Sequence, residues 1–134
     1  MANDGGDASL RHEASGHGRP IRPALEVAPR DVADAIAQGH PLLLVDCRRD
    51  DERAFCSIEG SRHVPMTRAA EWIEELREDR ADAPPPPIVV FCHHGVRSMQ
   101  VVGLLQAAGF AETRSMAGGI DRWSLEVDPR TPRY

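Results

Sequence analysis

The sequence predicts an α/β domain: a mostly parallel sheet of about five strands with helices on both faces. Three observations carry this. Two short apolar runs, 42–45 and 88–91, show no polar alternation, the pattern of strands buried on both faces. Apolar residues in the segments around them recur instead at helical spacing. A further short strand is expected at 113–116, so strands and helices alternate along the chain.

Composition narrows the class. At 134 residues the chain makes one domain plus tails, and a 41% hydrophobic content supplies one modest core. The net charge of −5 offers no basic footprint for nucleic acid. No apolar run approaches the length that spans a membrane. Apart from histidine every basic residue is arginine, so a lysine Schiff base is excluded. The cysteines are Cys47, Cys56 and Cys92, with no Cys-x-x-Cys pair. An odd, sparse count argues against a disulfide scaffold and fits a reducing, cytoplasmic setting.

In chain order, Met1–Pro20 is rich in Gly, Asp, His and Ala and has no apolar block. It reads as a disordered tail, neither signal peptide nor anchor. His12 and His17 lie in it without a scaffold to hold a metal. The domain is expected over 21–134. A strand is expected at 25–27. Pro29 then suits the first helical position, Val32, Ala35 and Ile36 follow at helical spacing, and Gly39 ends that helix. The run 42–45 leads into Asp46-Cys47-Arg48, and ligands bind at the carboxyl ends of parallel strands, so Asp46 belongs on the functional edge. Ala69, Trp72, Ile73 and Leu76 mark a second amphipathic helix, with Glu71, Glu74, Glu75 and Glu78 as its solvated face. Pro84–Pro87 forms a stiff connector into the next strand.

The stretch Ile88 to Gly109 organises the rest. It reads as strand, six-residue loop and helix. Val101, Leu104, Leu105 and Ala108 define the apolar face, Ser98 is placed to cap the helix, and Gly109 closes it. Cys92 stands at the carboxyl end of the strand. A tight loop entering a helix turns several amides toward one point, and the helix dipole adds positive potential there. A cysteine at that point has its thiolate stabilised, and the thiolate is the nucleophile. Arg97 adds a fixed positive charge, and Gly95 permits a backbone conformation that other residues resist.

Cys92-His93-His94-Gly95-Val96-Arg97-Ser98 resembles the active-site loop of the rhodanese-like sulfurtransferases. Three further stretches resemble signatures of that family in the same order. They are Asp46-Cys47-Arg48, then Ile58-Glu59-Gly60 with Val64-Pro65, and Gly118-Gly119-Ile120 with Trp123. The likeness runs from Ala24 to Tyr134. Arg53, where many members carry an aromatic, and Ser57, where histidine is common, depart from it.

The resemblance implies the same α/β fold and a sulfurtransferase working through a Cys92 persulfide. The donor would be a compound such as thiosulfate and the acceptor cyanide or a thiol. It also implies that Arg97 and Asp46 act with Cys92, and that Asp46 pairs with Arg97 to orient it. The other reading of Asp46 is a cap for the helix that follows. His93, His94, Gly95, Val96 and Ser98 form the loop that holds substrate or persulfide, with the amides of His93 to Ser98 as donors. His93 and His94 bind donor oxyanions, tune the thiolate by partial charge, or only line the rim. Adjacent histidines on one tight loop do not converge on a metal, so no metal and no cofactor are expected.

Cys47 and Cys56 read as packing residues, with a resolving role the lesser alternative. The expected partners are a small sulfur donor and acceptor, or a sulfur-accepting protein, with the chain a monomer or weak homodimer. Three other functions remain open. A phosphatase or arsenate reductase of this family type carries five residues between cysteine and arginine, where this chain has four. A non-catalytic binding module typically lacks the cysteine. A persulfide carrier shares the chemistry at Cys92 and differs in its partner.

Overall fold

A computed structural model describes residues 20–79 and 83–134. The tail expected over Met1–Pro20, with His12 and His17, lies outside the described residues except for Pro20. Five strands form one sheet: β1 (Glu26–Val27), β2 (Leu43–Asp46), β3 (Arg62–His63), β4 (Ile88–Phe91) and β5 (Thr113–Met116). Their order across the sheet is β1-β5-β4-β2-β3, and all four pairings are parallel. The helices between them are α1 (Pro29–Ala37), α2 (Asp50–Phe55), α3 (Ala69–Asp79), α4 (Val96–Ala107) and α5 (Gly119–Glu126). A 3₁₀ turn, Met66–Arg68, leads into α3.

The central pair, β2 and β4, is in register with Val45 opposite Val90 and Asp46 opposite Phe91. All four β4 residues are buried, as the unbroken apolar run requires. Side chains alternate between the two faces. Val45, Cys47, Ile88, Val90 and Cys92 pack on one face, with Trp72, Ile73 and Leu76 of α3 and Val101, Val102 and Leu105 of α4. Leu44, Val89 and Phe91 pack on the other, with Val32 of α1 and Ile120 and Trp123 of α5. This alternation decides which side chains meet at the site. Among the described residues no helix is long and apolar enough to cross a membrane.

Two expectations for α4 need correction. Its buried face is Ser98, Val101, Val102 and Leu105, whereas Leu104 is 48% exposed. The helix sits in the angle between the sheet and α3, which turns the buried stripe toward Val102 and leaves Leu104 outside it. Ser98 is not the cap: the helix begins at Val96, the N-cap is Gly95, and Ser98 is the third helical residue. The other end of the helix is as read. The Gly109 N–H donates to the Gln106 carbonyl at 3.1 Å and the Phe110 N–H to the Leu105 carbonyl at 3.0 Å, a Schellman closure with Phe110 buried behind it.

Candidate active site

Cys92 is the first residue past β4, and only 1% of it is exposed. Its sulfur is enclosed by donors. The Gly95 N–H reaches Sγ at 3.1 Å and the Ser98 N–H at 3.4 Å, and the Ser98 hydroxyl lies 3.4 Å away. Of the amides from His93 to Ser98 expected to converge, these two bond the sulfur. Gly95 has φ of 107°, a left-handed conformation that turns its N–H back onto Sγ and starts the helix in one step. The Ser98 hydroxyl is held in turn by Ser115 Oγ of β5 at 2.7 Å.

Cys47 supplies the donor not anticipated from the sequence. It follows β2 as Cys92 follows β4, on the same sheet face, and the two thiols interact. The Cys47 thiol, then the Ser98 hydroxyl and the Ser98 and Gly95 amides, lower the Cys92 pKa below the ordinary thiol range, although burial opposes them. The Cys92 thiol, with burial, pushes the Cys47 thiol above that range. The two thiols therefore titrate as a coupled pair.

Arg97 does not pair with Asp46, and that expectation is corrected. Its two Nη atoms bond Glu52 of α2, at 2.6 Å to Oε1 and 2.9 Å to Oε2. Asp46 is fully buried and is claimed by Arg48, from Nε at 2.9 Å and Nη2 at 2.8 Å, with Arg53 Nη1 at 3.2 Å. Alternation gives the reason: just past β2, Cys47 shares the face of Cys92, and Asp46, the last residue of β2, points to the opposite one. Nor does the Asp46 side chain cap the next helix. It accepts from the Arg48 N–H at 3.0 Å and stays with the Arg48 guanidinium. The Asp46 carboxylate thus positions Arg48, and Glu52 takes the role assigned to it beside Arg97.

Glu52 is the functional residue that sequence reading missed. Its carboxylate accepts from Arg97, from the Tyr134 hydroxyl at 2.7 Å and from the Arg49 N–H at 3.1 Å. The Arg97 guanidinium first, helped by Tyr134, holds it far below the usual carboxylate range despite burial. The pairing likewise raises Arg97. Tyr134 also accepts from Arg48 Nη1 at 3.0 Å, so Arg97, Glu52, Tyr134, Arg48 and Asp46 form one network. Burial pushes the Tyr134 phenol up to about 12, so it remains a donor to Glu52. The only sequence signal for Glu52 was an acidic run, Asp50-Asp51-Glu52, at a helix start.

The two loop histidines differ. The His93 ring stacks on Tyr134 and lies tilted by 35° against His94, each centroid 3.8 Å away. Burial, then His94, lowers its pKa, which favours the neutral ring. Its Nε2 is buried with no hydrogen-bond partner among the described residues. His94 is 61% exposed, with Nδ1 4.0 Å from Asp121. Val96 is exposed at the start of α4. Among the described residues no group of three His, Cys, Asp or Glu is placed to hold a metal ion.

The Gly118-Gly119-Ile120 signature anchors this loop. The Ile120 N–H donates to the Cys92 carbonyl at 2.9 Å and the Asp121 N–H to the His93 carbonyl at 3.1 Å. Gly119, with φ of 63°, lies so close that a Cβ would collide with both carbonyl oxygens. Those atoms are backbone and cannot swing aside. Gly119→Ala is expected to cost at least about 2 kcal/mol, from the left-handed conformation and the overlap together. A chemical denaturation curve checks this, and an unchanged midpoint would refute it.

With fold and geometry in place, the chain belongs to the rhodanese-like domain family, whose model matches residues 28–126. The thiosulfate sulfurtransferase GlpE of Haemophilus influenzae is 32% identical over 112 residues, covering 84% of this chain and 99% of that protein. The probable adenylyltransferase/sulfurtransferase MoeZ of Mycobacterium tuberculosis is 28% identical over 110 residues, covering 81% of this chain and 26% of its own length. The chain thus spans about a quarter of that longer relative. Among solved structures, the human single-domain sulfurtransferase TSTD1 superposes with a TM-score of 0.64 at 22% identity, covering 77% of this chain and 97% of that one. This last likeness concerns the fold.

Proposed function

We propose that the protein is a sulfurtransferase that carries sulfane sulfur on Cys92. The thiolate attacks the outer sulfur of a donor such as thiosulfate, sulfite departs with the bonding pair, and a Cys92 persulfide remains. A nucleophile such as cyanide or a thiol then takes the outer sulfur and restores the thiolate. The observation that carries this reading is the enclosure of the Cys92 sulfur by the Gly95 and Ser98 amides and the Ser98 hydroxyl. Such donors favour a sulfur anion and cost no reorganisation as charge develops.

The ring is compact. Four residues separate Cys92 from Arg97, which suits one sulfur atom better than a tetrahedral oxyanion. Arg97, fixed by Glu52, and the unpartnered Nε2 of His93 are suited to receive the sulfonate end of the donor. A depressed Cys92 pKa has a kinetic consequence. With the Cys92 pKa lowered to about 5, loading should show a plateau across neutral pH. The pH dependence of iodoacetamide alkylation checks this: a midpoint near the ordinary value of about 8.5 would refute it.

The deciding experiment is intact mass before and after incubation with thiosulfate, then with cyanide. Gain and subsequent loss of one sulfur is expected, with negligible hydrolysis of aryl phosphates. Phosphatase turnover with no sulfur on the protein would overturn the reading. A second reading keeps this chemistry and makes the acceptor another protein. It is favoured by the likeness to one segment of relatives that bear two activities in their names, adenylyltransferase and sulfurtransferase.

A further inference from the structure

Cys47 and Cys92 stand side by side on neighbouring parallel strands. Asp46 opposes Phe91, each cysteine is the next residue, and the Cys47 N–H donates to the Phe91 carbonyl at 3.0 Å. Both side chains leave the sheet on one face, in the same cluster as Val45 and Val90, and both thiols are free. Neighbouring strands lie about 4.8 Å apart, within the roughly 4.4–6.8 Å between Cα atoms that a disulfide spans. Cys56 packs on the opposite face. Cys47 also lines a cleft of about 780 Å³ that it shares with His63, Met66, Arg68 and Arg97.

We propose that Cys47 is a resolving thiol: when no acceptor arrives, it attacks the inner sulfur of the Cys92 persulfide, releases hydrosulfide and closes a Cys47–Cys92 disulfide. This rests on the persulfide reading above and adds a second outcome to it, sulfide release. The bond between the Cys47 and Cys92 sulfurs forms, and the bond from Cys92 Sγ to the outer sulfur breaks. The electron pair of that bond leaves with the outer sulfur, which takes the Cys47 proton and departs as HS⁻. The sulfane sulfur gains two electrons, and the two cysteine sulfurs together give up two. An external dithiol then reopens the disulfide by exchange and returns both thiols, with the cleft beside Cys47 as its route of approach.

The loaded state differs from the resting one in the way this step needs. At rest the neighbouring Cys92 sulfur, with burial, raises the Cys47 pKa. In the persulfide the thiolate charge moves one atom away, onto the outer sulfur. The inner sulfur becomes neutral and electrophilic while remaining beside Cys47.

The test uses the full chain and its Cys47→Ser, Cys47→Ala and Cys56→Ser variants. Each is loaded with thiosulfate at about pH 9, where Cys92 ionises without help from Cys47. Excess donor is removed, and sulfide release and non-reduced mass are followed without acceptor. The unmodified chain and Cys56→Ser are expected to release sulfide and end as a species lacking two hydrogens, with Cys47 joined to Cys92 in the peptide map. Both Cys47 variants are expected to keep the persulfide at least tenfold longer. Uptake followed by equal, disulfide-free decay in all four proteins would overturn this inference alone. Failure of every protein to take up sulfur would overturn the transfer reading and this inference together.

Discussion

Cys92→Ser is expected to abolish sulfur transfer while leaving a folded chain. The serine oxygen can still accept the Gly95 N–H, so the loop keeps its main tether. It cannot act as the thiolate does, because a hydroxyl stays protonated where this thiol is ionised. Nor can it store sulfane sulfur, so both halves of the reaction fail together. The Cys92 side chain also packs with Val45 and Val90, so some stability is lost. About 1 kcal/mol is reasonable for a near-isosteric change in a buried, hydrogen-bonded site, or roughly 4 °C in Tm for a domain of this size. Thiocyanate formation from thiosulfate and cyanide, with a thermal melt on the same sample, checks both parts. Retained turnover, or sulfur still bound to the variant, would remove Cys92 from the mechanism.

The sequence revealed the backbone of this site better than its side-chain partners. The buried run at 88–91 and the helical spacing after it located Cys92, because burial on both faces leaves a periodicity that can be read directly. The same logic missed β3, since a two-residue edge strand carries no pattern. It set no bounds for α2 because six residues beginning with three acids show no apolar period. The partner of Arg97 was misassigned for a geometric reason. Asp46 lies on the correct sheet edge, but strand alternation turns it to the face opposite Cys92, where Arg48 meets it. Glu52 reaches Arg97 from α2, 45 residues away in sequence, and only the packing of that helix over the strand ends brings them together.

Cys47 was legible in principle. Two parallel strands in register that end in Asp-Cys and Phe-Cys must set their cysteines side by side, yet the register is a property of the sheet and is not encoded in either strand alone. Ser98 was misjudged similarly. A hydroxyl near a helix start usually caps it, but Gly95 already begins this helix, and that leaves the serine facing Cys92 and Ser115.

Removing the Glu52 carboxylate is expected to damage both stability and loading. Glu52 is only 5% exposed and Arg97 27% exposed, so the ion pair is largely withdrawn from water. Breaking such a pair leaves the remaining charge uncompensated, at a cost of about 3 kcal/mol. Glu52→Ala also takes the acceptor from the Tyr134 hydroxyl, which stays bonded only through Arg48. Arg97 then loses the fork that aims it across the loop, and a loss of tenfold or more in loading rate is expected from misplacement alone.

Glu52→Gln isolates the charge, because it keeps the shape and one acceptor. Its penalty should depend on pH with a definite sign. The folded-state pKa of Glu52 is depressed below the unfolded value of about 4.3. Between the two values the unfolded chain binds the proton and the folded chain does not, so the carboxylate contributes fully above about pH 4.3, and that contribution is lost as pH falls toward the folded value. The stability gap between the unmodified chain and Glu52→Gln should therefore be widest at neutral pH and narrow below about pH 4. A double-mutant cycle with Arg97→Ala locates the interaction. Coupling of roughly 1–3 kcal/mol is expected for Glu52 with Arg97, and little for Asp46 with Arg97. Strong coupling between Asp46 and Arg97, or a Glu52→Gln penalty that does not change with pH, would show that this carboxylate is not what holds the arginine beside Cys92.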